Sequence, residues 1–95
     1  MGEMTLIEAI RDLGSLDDQS TIYAAEPWDR MSKVIVAREP ETGGLPTEAD
    51  GLGLKYFLEV SVAETLIGGW ASNLGREPSV EEKCERLIHY AVNDA

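Results

Sequence analysis

The apolar positions of this chain change period along its length, and each change marks an element. Tyr56, Leu58 and Val60 alternate with Phe57, Glu59 and Ser61, the two-residue repeat of a strand. From Ser61 onward Val62, Leu66, Trp70 and Leu74 recur at helical spacing. The pattern predicts a strand over Tyr56–Val60 that feeds into a helix from Val62 to about Leu74. Ser61 and Glu64 have the spacing of a capping box at its start, and Gly75 is placed to close its end.

Two further helices follow from the same reasoning. Thr5 and Glu8 form another capping box, after which Leu6, Ala9, Ile10 and Leu13 share a face up to Gly14. Near the other end Ser79 and Glu82 make a third box. Val80, Cys84, Leu87, Ile88, Ala91 and Val92 continue it as an apolar stripe. Two more strands are predicted from β-branched and aromatic runs, Thr21–Ala25 and Lys33–Ala37, joined by a connection through Pro27 and Trp28. The order α-β-β-β-α-α predicts an α+β fold, a three-stranded antiparallel meander with helices packed on one face, in a single domain over 1–95.

Between the second and third predicted strands the pattern breaks. Arg38–Gly53 contains Pro40, Gly43, Gly44, Pro46, Gly51 and Gly53 and has no periodicity, so a long surface loop is expected. Charge sharpens its interest. The chain carries eighteen acids and eight bases, a formal net charge of −10. Residues 39–53 hold four acids, Glu39, Glu41, Glu48 and Asp50, and no base. That balance argues against nucleic acid and anionic membrane surfaces as partners. It suits solubility or a basic protein partner.

Candidate chemistry is sparse. One histidine and one cysteine cannot assemble a zinc site of the usual kind. Cys84, within an apolar stripe, reads as core, and His89 as an exposed helix residue paired with Glu85 four positions earlier. The loop acids lack the spacing of a calcium loop, no phosphate loop follows a strand, and no cofactor is expected. A lone cysteine and the absence of a leader or long apolar run lead to the expectation of a cytoplasmic protein of bacterial style.

The aromatic and small residues are more informative. Trp28 either folds back onto the core or stands out as an anchor, and Trp70 continues the Leu66 stripe and is expected in the core. The other side of that helix, with Ile67, Gly68, Ala71 and Ser72, carries almost no charge. Either the helix is buried between sheet and neighbour, or this side meets a second chain, which includes a homodimer.

The segments TIYAAEPWDR, YFLEVSVAETL and SVEEKCERLIHYAVNDA together resemble a small, uncharacterised bacterial protein family. The resemblance implies no assigned activity and brings no catalytic residue. In size and charge the chain also looks like immunity proteins, which block a toxin by complementarity. The expectation is therefore a non-enzymatic interaction module of immunity or antitoxin type. It would bind a basic protein through Trp28, Glu39, Glu41, Glu48 and Asp50, with Ile67 and Ala71 as apolar contact. The alternative is a small-molecule-binding protein or small enzyme with a pocket near Trp28, Arg30 and His89.

Overall fold

The computed structural model describes residues 4–94. It is α+β with an antiparallel sheet, as the pattern predicts, but with four strands instead of three. The extra strand is β1 (Met4–Thr5), which pairs antiparallel with β3 (Lys33–Ala37). It leads straight into α1 (Leu6–Arg11), whose capping box forms: the Glu8 N–H donates to the Thr5 hydroxyl, and Glu8 Oε1 accepts from the Thr5 N–H at 2.9 Å. A 3-10 turn (Leu13–Ser15) then brings the chain to β2 (Thr21–Ala24).

The sheet order is β1-β3-β2-β4, with β4 covering Lys55–Glu59, so the predicted meander is replaced. The strand at 55–59 pairs with β2, not with the strand that precedes it in sequence. The physical reason lies in the segment between them. It is long enough to cross the sheet, and the side of β3 that a meander would use is shared with β1. Between Ile22 and Tyr23 the pairing with β4 shifts, so Leu58 stands opposite Ile22, Tyr56 opposite Tyr23, and Phe57 is the extra residue. That irregularity sends both Phe57 and Leu58 into the helix-side core, where simple alternation would have separated them.

Strand β2 is buried at all four positions, because both faces of the sheet are covered. On one face Ile22, Ala24, Val34, Phe57 and Leu58 pack against Leu6, Ile10, Ala63, Cys84 and Leu87 of the helices. On the other face Tyr23 packs with Ala49 and Leu54, flanked by Ile35 and Leu45. The expected surface loop is thus a cover for the second face. Pro46 precedes a short helix, α2 (Thr47–Gly51), and the Leu54 N–H donates back to the Ala49 carbonyl at 2.9 Å. Helices therefore lie on both faces, which corrects the one-sided arrangement.

Helix α3 (Val60–Leu74) begins without a gap after β4. Glu59 is its N-cap and makes no side-chain cap bond, so the expected Ser61–Glu64 box does not form. The Val60 N–H still donates to the Ser20 carbonyl, which holds the junction to the sheet and places Ser61 inside the first turn. Gly75 ends the helix in the left-handed conformation, φ 71°, with its N–H donating to Ala71. Helix α4 (Val80–Asp94) starts with the predicted box: the Ser79 N–H donates to Glu82 Oε1 at 2.8 Å and the Glu82 N–H to the Ser79 hydroxyl at 3.1 Å. Its stripe buries Cys84, Leu87 and Ala91, while Val92 remains exposed.

Candidate functional site

The residues proposed from sequence as one interface are divided by the sheet. Glu39, Glu41, Glu48 and Asp50 lie on or beside the cover of the Tyr23 face, whereas Ile67 and Ala71 lie on α3 in the helix layer. The two groups face opposite sides.

All four acids of the cover are exposed. Five carboxylates elsewhere are paired: Arg11 with Asp12, Arg30 with Glu85, Arg38 with Asp17, Arg76 with Glu82 and Lys83 with Glu77, while Glu26, Glu64 and Glu81, spread over other parts of the surface, have no such pair among the described residues. Among the described residues none of Glu39, Glu41, Glu48 and Asp50 makes an ion pair or side-chain hydrogen bond. Between the cover and β3 runs a groove of about 570 Å³, bordered by Asp17, Lys33 and Glu48 and floored by Leu16, Ile35, Val36 and Leu52. Leu52 is 48% exposed on its rim. The floor is apolar and the rim mixed in charge, since Lys33 borders it and Arg38 holds Asp17, which leaves Glu48 as the rim carboxylate without an ion pair among the described residues.

Beneath the cover, Tyr23 is 1% exposed and its hydroxyl has no hydrogen-bond partner. Burial raises its pKa above the usual phenol value, Thr21 offsets part of that, and Glu39 and Glu59 add to the rise. The hydroxyl is therefore neutral and unsatisfied, a local cost of the apolar cover.

Trp28 is half-buried and turned inward. Its ring meets Phe57 edge-on, centroids 5.0 Å apart, and its indole N–H donates to the Ala24 carbonyl at 3.2 Å. Of the two readings the sequence left open, the inward one describes its geometry, and Trp28 stands apart from the acidic cover. Along α3 only Val60 and Ala63 are fully buried. Ile67 and Ala71 are half-buried, and Thr65, Gly68, Gly69 and Ser72 are exposed, so the helix is not enclosed between sheet and neighbour.

Arg30 and His89 do come together, but with Trp70 instead of Trp28. Both line an open hollow of about 530 Å³ that also contains Arg86, Glu81, Glu82 and Glu85. Trp70, expected in the core, is half-buried and lies under the Arg86 guanidinium, 5.3 Å from the ring centre. The expected His89–Glu85 pair does not form, because Glu85 reaches Arg30 at 3.6 Å. A smaller hollow of about 300 Å³ lies on the α3 side of the same residues. Sequence periodicity could not find this meeting, since it fixes the face of each helix but not the register between two helices.

Cys84 is fully buried, and its thiol is pushed up to about 11, by burial first and then by Glu85. Among the described residues no three His, Cys, Asp or Glu side chains converge to hold a metal ion. No helix of the described residues is long and apolar enough to cross a membrane. Comparisons of the chain with models of known protein families, with curated proteins and with solved structures found no match.

Proposed function

We propose that this protein is a non-enzymatic interaction module that binds a basic protein partner on the face formed by residues 38–53 and β3. The observation that carries the reading is the clustering of four exposed carboxylates, Glu39, Glu41, Glu48 and Asp50, in a segment that has no base from residue 39 to residue 53 and gives them no ion pair among the described residues. Exposed carboxylates without local cations leave their field to act on an approaching molecule. The groove beside them supplies apolar contact from Leu16, Ile35 and Leu52. Trp28 and the α3 side are not part of this face. In the immunity or antitoxin form of the proposal the partner is a basic toxin or nuclease.

The test uses a partner captured from the source cells, purified and titrated against the protein over a range of salt. The quadruple variant Glu39→Gln, Glu41→Gln, Glu48→Gln, Asp50→Asn serves as the comparison. The proposal expects a basic partner, affinity that falls as salt rises, and a large loss in the variant. Binding that ignores both salt and the four substitutions contradicts it.

Self-association is a second reading, favoured by one observation: Gly68, Gly69 and Ser72 are exposed on a side of α3 that carries no charge from Thr65 to Gly75. In a chain of net charge −10 such a side lets two copies meet without opposing like charges. A light-scattering mass near twice 10.4 kDa, split by Ala71→Glu, is its expected signature. A mass near 10.4 kDa at all concentrations removes it.

A further inference from the structure

The small hollow between α3 and α4 has a chemistry unlike the rest of the surface. Its walls are Leu66, Trp70 and Asn73 from α3 and Arg86, His89 and Tyr90 from α4, with Leu87 at its base. No carboxylate lines it, in a chain with eighteen of them. The outer hollow on the other side of Trp70, Arg86 and His89 has three, Glu81, Glu82 and Glu85.

Arg86 is also unlike the other arginines. Arg11, Arg30, Arg38 and Arg76 each hold a carboxylate, but Arg86 has no carboxylate partner among the described residues. The two acids best placed on its own helix are engaged elsewhere. Glu82, one turn before it, is held by both terminal nitrogens of Arg76 at 3.0 and 2.8 Å, and Glu85 is held by Arg30. What remains to Arg86 is the face of Trp70. That contact orients a guanidinium without using its N–H donors, which stay free for an anion.

We infer that this hollow binds a small monoanionic carboxylate bearing a flat apolar group, an aryl carboxylate. The planar guanidinium of Arg86 matches a carboxylate with two parallel donors, and the His89 ring beside it and the Asn73 amide across the hollow line the same space. One permanent cation suits one negative charge; a phosphate dianion would be under-compensated. A volume of about 300 Å³ is at the low end for ligand pockets and limits the apolar part to one or two rings between Trp70, Leu66 and Tyr90.

The probe is 1-naphthoate, titrated into isotope-labelled protein while the Trp70 indole N–H resonance is followed, assigned by its loss in Trp70→Phe. The uncharged comparison is 1-naphthalenemethanol. The inference expects a saturable shift below about 10 mM naphthoate. Loss of the ion pair in Arg86→Gln, or of the charge in the alcohol, weakens binding about tenfold or more. Arg86→Lys, which keeps the charge and loses the fork, falls between. The quadruple variant of the cover binds naphthoate as the unaltered chain does, which separates this site from the acidic face. Absence of a saturable shift overturns the inference, as does equal binding of the alcohol or by a folded Arg86→Gln protein.

Discussion

Ile22 and Tyr23 are adjacent in the chain and buried in opposite layers. Ile22 lies among the helices and Tyr23 beneath the cover formed by Leu45, Ala49 and Leu54. A single strand thus anchors both layers, and the sheet keeps the acidic cover apart from α3.

The Tyr23 hydroxyl is buried without a partner, so removing it removes an unsatisfied group. Tyr23→Phe is expected to raise the unfolding free energy by about 1 kcal/mol, measured by urea denaturation. A loss of stability would mean that the hydroxyl is satisfied in solution, for instance by an enclosed water.

Glu82 is the strongest acid of the α4 entrance. Arg76 first, and then the Ser79 N–H, lower its carboxyl from 4.5 to about 2. A carboxyl with a depressed value in the folded chain stabilises fully above pH 4.5 and loses that contribution as pH falls toward about 2. In Glu82→Gln this part of the acid dependence should be absent, so the urea midpoints of the two proteins converge as pH drops. A difference that stays constant over the window would contradict the linkage.

Glycines 68 and 69 sit on the exposed side of α3, where an added Cβ would meet nothing within 4 Å. Gly69→Ala should therefore stabilise the chain by about 0.5–1 kcal/mol through helix propensity alone. Thermal unfolding checks this. A lower melting temperature would show that another surface approaches the helix at this point.

Trp28 is a structural residue in this account. Trp28→Ala loses the edge contact with Phe57 and the bond to Ala24, and should cost about 3 kcal/mol. A substitution that leaves stability unchanged would contradict its inward placement.

Much of the fold was legible where local chemistry and period agree. The boxes Thr5–Glu8 and Ser79–Glu82 form, and Gly75 caps α3, because each depends on neighbours within a turn. The box at Ser61 fails since β4 runs on into α3 and the Val60 N–H is held by Ser20, a contact forty residues away in sequence. The segment 38–53 reads as loop from its glycines and prolines, yet Leu45, Ala49 and Leu54 anchor it. Three spaced apolar residues give no period, so burial of this kind leaves little trace in sequence. The second strand, uncharged at every position from Thr21 to Ala25, did carry a sign that both its faces are covered. Of the candidate site, the acids were visible as composition. The meeting of Trp70 with Arg86 was not, because it depends on how α3 and α4 dock.

The central claim is that the acidic cover recruits a basic partner. Its most direct test is the dissociation constant of the purified complex, measured at low and high salt for the unaltered chain and for the variant neutral at residues 39, 41, 48 and 50. The account predicts weakening with salt in the unaltered chain, and weaker binding with a flatter salt dependence in the variant. Equal affinities and equal salt slopes in the two proteins would contradict it.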